Sequence, residues 1–356
     1  MRPAAPVSGA RLALLLGGLA LLVLLIAVGS LFIGSARVPP GDVMAVLAGR
    51  VKGVDQVVVL SLRLPRILVA LLAGGALAVA GAGFQALARN PLAEPSVLGV
   101  SSGAAFGVVL AQVMGLGGGL VETVGLAACA FAGALVAGVA VYLIAARAGA
   151  LPVHTLLLAG VIVGIFFSST ITVLISVVDF DRLGGVIHWL LGNLSPIPPR
   201  SLAVFAALLA VGGWLVIGAA RRLNLLTLGE ENAAQLGVDA EALKRRIFAG
   251  AALLTSAAVA FAGPIGFVGL IVPQALRLLL GPDNRVVIPA ALLGGGAFLL
   301  LADTLARNVI APAELSVGVI TAFCGAPFFI YLLRARTGTA ALEEAFVQLI
   351  GAAGQV

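Results

Sequence analysis

Residues 62–107 read LRLPRILVALLAGGALAVAGAGFQALARNPLAEPSVLGVSSGAAFG, and this stretch decides the fold. From Ile67 to Leu87 no side chain is charged, over a length close to the roughly 20 residues that a membrane-spanning helix requires. Lipid offers no partner to peptide N–H and C=O groups, so an uninterrupted apolar block must satisfy them internally as a helix. A barrel strand would instead alternate polar and apolar residues. The block ends at Arg89, and Asn90–Pro95 (NPLAEP) interrupts the chain before a second apolar run begins. Broken backbone near membrane depth is tolerated only against protein or beside a water-filled path.

The same pattern extends outward in both directions. Of 356 residues, 61% are hydrophobic and 10% charged, against about 25% charged in an ordinary soluble domain. Ten spans can be drawn, near residues 11–33, 64–87, 96–116, 121–145, 156–178, 201–220, 247–264, 268–281, 287–306 and 314–333. The fold class expected is an all-α polytopic membrane protein: a permease domain over 1–336, with a polar insert at 221–246 and a cytoplasmic tail at 337–356. The first block follows Arg2 and Arg11 as a secretion signal would, but it is too long for one and reads as a retained helix. With both termini in the cytoplasm, 13 basic residues fall inside and 8 outside, a bias of the expected sign. Loop charge of this kind explains the pI of about 10.3, and no basic block with interleaved aromatics suggests nucleic acid.

Neither enzyme chemistry nor a metal site is indicated. Cys129 and Cys324 lie far apart in apolar blocks and read as buried structural thiols, and His154 and His188 lack the carboxylate or thiol neighbours of a catalytic or zinc centre. Gly99, Gly103 and Gly107, with Gly160 and Gly164, fall at the four-residue spacing that lets helices pack closely. A second break, Gly263–Pro273 (GPIGFVGLIVP), matches the first in character. The insert reads as two short helices, one over Leu225–Leu236 that ends on a left-handed Gly237 and a second capped by Asp239. It is either a solvated connection or a docking platform.

These residues resemble the FecCD-like permeases of iron-siderophore, haem and cobalamin ABC importers. Beyond 62–107, the resemblance runs through LLLAG (156–160), HWLLGNL (188–194), LGEENAAQLGV (228–238), AGPIGFVGLIVP (262–273) and LADTLARNVIAPAELSVGVITAFCGAPFFIYLL (301–333). It implies a ten-helix subunit of the bacterial inner membrane with two inverted repeats, helices two to five and seven to ten, paired with a second copy around a central path. It also implies two ATPase subunits and a periplasmic binding protein. The only lysines, Lys52 and Lys244, follow Val51 and Leu243 rather than Gly, so this chain has no phosphate-cradling loop of its own, and ATP with its Mg belongs to the partner. The cargo implied is an iron chelate, siderophore first, haem or cobalamin next.

Site roles follow residue by residue from the resemblance. Arg63 and Arg66 of L-R-L-P-R, with Arg307, meet carboxylates of the binding protein; interfacial snorkelling competes for the first two, and an ion pair with Asp303 for the third. Leu228, Gly229, Glu230, Glu231, Ala234, Leu236 and Gly237 couple to the ATPase. Asn90 and Leu92 form a cytoplasmic gate with Val153 and His154, where the family's cobalamin permease carries small hydroxyl residues. Gln274 replaces a histidine usual in the family. The path walls are expected on helix five and Gly185–Leu194, with Asp179, Asp181, Arg182 and Trp189 near the outer mouth. An ion-coupled secondary transporter is the rival reading, but it needs ionisable groups at span centres, which these spans almost lack.

Overall fold

The computed structural model describes residues 9–334, apart from residues 37, 116–119, 148, 178–179, 193, 312 and 333. The tail expected at 337–356 lies outside the described residues. Among the described residues the regular elements are helices: α1 (Gly9–Phe32), α2 (Pro40–Leu47), α3 (Val54–Gln56), α4 (Leu64–Ala88), α5 (Val100–Val113), α6 (Leu120–Ala145), α7 (Val153–Val177), α8 (Phe180–Leu190), α9 (Pro199–Ile217), α10 (Ala220–Leu226), α11 (Glu230–Gln235), α12 (Ala240–Ala262), α13 (Val268–Leu280), α14 (Asn284–Asn308) and α15 (Val317–Leu332). Seven are long and apolar enough to cross a membrane, and the shorter apolar α5, α13 and α15 complete the ten expected spans.

The second span differs from expectation at its start. A π-helical stretch, Val57–Arg63, joins α3 to α4, so one rod runs from Val54 to Ala88. Pro65 supplies the reason: it cannot donate to the turn before it, and its ring crowds that turn's carbonyl, which a widened turn accommodates. The helices α2 and α8 were not anticipated, because each is too short and too polar to announce itself as a span.

The rod is also the centre of the molecule. Its most apolar stretch is 83% buried, enclosed by α9, α12, α13 and α14. Lipid gives helices no hydrophobic drive to associate, so contact here depends on backbones coming close. A Cβ placed on Gly74 would fall on the carbonyl of Gly295 in α14, and one on Gly81 would fall on the carbonyl of Gly269 in α13. The glycines singled out from sequence have the same use between α5, α6 and α7, with Gly103 against Gly133 and Gly160 against Val97 and Leu98.

The two breaks occupy corresponding places in the two halves and meet. The loop at 89–99 precedes α5, the loop at 263–267 precedes α13, and the Phe267 N–H donates to Glu94 Oε1 at 2.8 Å. Gln85 Nε2 donates to the carbonyls of Gly269 and Leu270 at 3.3 Å, and the first of these has no helical donor because residue 273, four positions on, is proline.

The insert is more divided than expected. Instead of one helix over 225–236, α10 ends at Leu226, the chain turns through Thr227–Gly229, and α11 begins at Glu230. Gly237 does take the left-handed conformation, at φ +79°, and the N–H groups of Gly237 and Val238 close on the carbonyls of Ala234 and Ala233. Asp239 Oδ1 accepts from Ala242 N at 2.9 Å, as its capping role requires, but it opens the long α12 rather than a second short helix. The thiol of Cys324 corrects the sequence reading: it is exposed, and Cys129 is only half-buried.

Because the obstacles at Gly81 are backbone atoms with no rotamer to yield, Gly81→Ala is expected to destabilise the bundle by about 1–3 kcal/mol, the usual cost of overpacking. Thermal unfolding in detergent checks this, with Gly17→Ala, which meets nothing within 4 Å, as the neutral comparison.

Candidate functional site

Where the π stretch meets α4 and α14 ends, three arginines expected to project outward are turned inward. Arg63 is 5% exposed and donates to the carbonyls of Leu31 and Ala36, both at 2.5 Å. Leu31 lies in the last turn of α1, whose carbonyls have no helical partner, so Arg63 acts as that helix's cap. Arg307, 3% exposed, lies 3.0 Å from Asp303 Oδ2 through Nε and donates to Ser30 Oγ at 3.0 Å. Arg66 joins the rest: it reaches Asp303 Oδ1 at 2.9 Å and Glu314 Oε2 at 2.8 Å. The Arg307–Asp303 pair proposed from helical spacing is therefore present. Snorkelling is not the arrangement of Arg63, whose guanidinium is bound to protein carbonyls.

All three arginines nevertheless line one open cavity of about 180 Å³, together with Glu314. Two carboxylates, buried Asp303 and half-exposed Glu314, face three guanidinium groups, leaving one surplus positive charge. Glu314 was missed in the sequence; the available signal was an acidic residue between the last two spans, opposite in sign to the arginines. Burial pushes the Glu314 carboxyl up, but its bond to Arg66, the Arg66 charge, the Ser35 hydroxyl and the Arg307 charge together hold it below the usual carboxylate range.

At the other end of α4, the insert presents Leu228 and Leu236 at 61% and 60% exposure on either side of α11. Glu231, Ala234 and Gly237 are exposed as well, and Gly229 starts the helix at φ +111°. Glu230 points back into the protein instead. It bonds Lys244 of α12 at 3.1 Å and lies 3.6 Å from Arg89, the residue that ends α4. Lys244, nearly buried, also pairs with Glu241 at 2.5 Å. The short helix is thus tied to α12 and to the end of α4, where the turn holding Asn90 and Leu92 begins.

Within that turn, Asn90 Oδ1 accepts from Leu92 N at 2.9 Å, so the Asn90 side chain shapes its own loop. Val153 and His154 open α7, with His154 exposed, and among the described residues no hydrogen bond links this pair to Asn90 or Leu92. Of the outer-mouth residues, Asp179 lies outside the described residues, and Asp181 and Arg182 are placed only as backbone of α8. Trp189 packs, half-buried, against the core and against Val109, Ile171 and Val186.

The surface expected to wall a path is apolar with hydroxyl groups. Helix α7 exposes Ile162, Ile165 and Phe166, and a groove of about 420 Å³ carries Ser96, Ser168, Ser169 and Thr172. Leu190 and Leu191, with Phe267 and Phe323, line a second apolar hollow of about 610 Å³. Among the described residues no group of three metal-ligating side chains is found.

A model of the FecCD transport family matches residues 20–335. The chain is 46% identical to the cobalamin import system permease protein BtuC of Halobacterium salinarum over 79% of this chain and 74% of that protein. It is 41% identical to the hemin transport system permease protein HmuU of Yersinia pestis, over 77% and 82% respectively. A solved structure described as an inward-facing conformation of a metal-chelate type ABC transporter is 32% identical and superposes with a TM-score of 0.78 over 91% of this chain and 99% of that one.

The lowered Glu314 carboxyl fixes the sign of a pH effect. A group whose folded pKa is depressed stabilises above its unfolded value near 4.5 and loses that contribution as pH falls through the folded value. Hydrogen exchange in 309–316, corrected for intrinsic rate, is expected to be faster at pH 3 than at pH 7, and Glu314→Gln should abolish most of that difference.

Proposed function

The chain belongs to the FecCD transport family and is an ABC importer permease, and from that premise we propose that it passes a metal chelate into the cytoplasm by alternating access. Cobalamin and haem stand ahead of siderophores as cargo, because cobalamin and hemin are named for the relatives. We further propose a homodimer, with the path formed between the exposed apolar faces of α7 and α15, and with both termini in the cytoplasm. Broad apolar walls carrying a few hydroxyl groups suit a large organic chelate better than a bare ion.

One observation carries this reading. The arginine-lined cavity and the Leu228–Leu236 platform lie at opposite ends of the same buried helix: Arg66 sits in the first turn of α4, and Arg89 ends it beside Glu230. A helix of 25 residues is about 37 Å long, enough to cross the hydrocarbon core. The outer cavity, with its surplus positive charge, suits an acidic side chain of a binding protein, which long-range attraction would steer and the Arg66 fork would orient. The exposed leucines suit an apolar cleft on an ATPase. Movement of α11 would be carried by Glu230 to Lys244 and Arg89, and so to the turn holding Asn90 and Leu92.

The test is reconstitution in proteoliposomes with the cognate ATPase and binding protein. Uptake should require ATP hydrolysis and persist with a proton uncoupler; uptake by the permease alone would refute the reading. In the same system Leu236→Asp should weaken ATPase binding about ten- to hundredfold. Burying a leucine contributes about 1.5–3 kcal/mol, and each 1.4 kcal/mol is tenfold in affinity. The permease itself should fold unchanged, because Leu236 is exposed.

A further inference from the structure

A cavity of about 270 Å³ opens beside the inner end of α4, lined by Gln85, Arg89, Asn90, Thr227, Arg277 and Asn284 among others. It contains two arginines, and no residue lining it is acidic. Arg277, half-buried in the last turn of α13, has neutral partners only: Gln85 Oε1, the Ala82 carbonyl at 3.2 Å and Asn284 Oδ1 at 3.5 Å. Nearby Asp283 does not serve it, being bonded to Arg285 and to Asn224 Nδ2. Arg89 has Glu230 at 3.6 Å, but Glu230 is held more closely by Lys244. An arginine removed from water without a carboxylate is expensive to keep, since neutral hydrogen bonds replace its hydration without cancelling its charge.

The direction of the hydrogen bonds narrows what the cavity accepts. Guanidinium and backbone N–H groups only donate, so the amide oxygens of Gln85, Asn90 and Asn284 are already engaged as acceptors, by Arg277, Leu92 N and Arg277 respectively. The amide N–H groups of Asn90 and Asn284 and the remaining N–H groups of both arginines stay available. Donors therefore predominate in this lining, where Thr227 Oγ1, its proton given to the Asn224 carbonyl, adds an acceptor at the edge, and the complement of such a lining is an acceptor-rich ligand with negative charge.

The backbone adds a separate observation. Arg89 closes α4 in the left-handed conformation at φ +49°, a place where glycine is usual and where another residue costs on the order of 1 kcal/mol. The chain holds a guanidinium at the cavity mouth despite that cost.

We propose that this cavity is a binding site for a single oxyanion of phosphate or carboxylate type, held by Arg89 and Arg277. Two sources present that chemistry on this face: a free phosphate, or an acidic side chain of the ATPase that docks on the adjoining insert, of which Thr227 is part. Only the second source rests on the transport reading, and the first arm of the test does not involve it.

That arm uses the purified full-length permease alone. Inorganic phosphate, compared with chloride at equal ionic strength, should raise the melting temperature saturably. Arg89→Gly should lose the effect, and because glycine suits the left-handed position, loss of folding cannot explain the result. Arg222→Gln, an exposed arginine of α10 outside the lining, should keep it. No saturable rise in the wild type, or an undiminished rise in Arg89→Gly, overturns the proposal. In the second arm the permease is assembled with its ATPase. A phosphate effect that persists identifies a free anion as the ligand; one that vanishes, with Arg89→Gly weakening assembly at least tenfold, identifies the ATPase's carboxylate.

Discussion

The whole arrangement depends on how closely backbones approach around α4. Inside a bilayer, burying a leucine against another helix gains little over leaving it in lipid, so association rests on dispersion and on satisfied polar groups. Gly74 on Gly295 and Gly81 on Gly269 bring the central rod against α14 and α13 at backbone distance. That approach sets where the two broken loops lie; the Glu94–Phe267 bond then satisfies an N–H freed by the second break, and Gln85 occupies the Gly269 carbonyl that Pro273 cannot bond. With the rod seated, its ends are fixed too, and both charged clusters are built on those ends.

Ten spans were legible in the sequence because their signal is one-dimensional: an apolar run of sufficient length is a helix wherever it sits. Both breaks were legible for the same reason, since Asn90–Pro95 and Gly263–Pro273 interrupt such runs. So was the Gly237 stop, because a glycine after a helical run has a local cause. The π stretch before Pro65, and the helices α2 and α8, leave no comparable trace. A widened turn differs from an ordinary one in hydrogen bonding and not in composition, and amphipathic segments of 8 and 11 residues look like loops beside the spans.

The charged residues were harder to read. Arg63, Arg66 and Arg307 could be singled out as basic residues outside the membrane, but whether a guanidinium faces solvent or caps α1 depends on where residues 31–36 fold back, more than 25 positions away in sequence. Glu314 was passed over, and Lys244 was read only for the residue before it, because each lies in a segment whose other features drew a local explanation. The pairing of Glu230 with Lys244 and Arg89 crosses three elements and has no signature within any of them.

The two carboxylates of the outer cluster are not equivalent, and the difference bears on what the cavity can exchange. Asp303 is fully buried between Arg66 and Arg307, and breaking a buried pair leaves an uncompensated charge, so it is fixed in place. Glu314 sits on a loop with its side chain 37% exposed, where an ion pair contributes little net stability. An incoming carboxylate that takes its place at Arg66 substitutes like for like. Arg66 is never left unpaired during such an exchange, because Asp303 holds it throughout, and the surplus charge of the cluster favours the approach. Glu314 belongs to the short connection between α14 and α15, which the Leu315 N–H also anchors to the Ala306 carbonyl, and α15 packs Gly318 against Leu191 and Pro264 at the apolar hollow. Only a few residues of chain thus separate the outer cavity from that hollow.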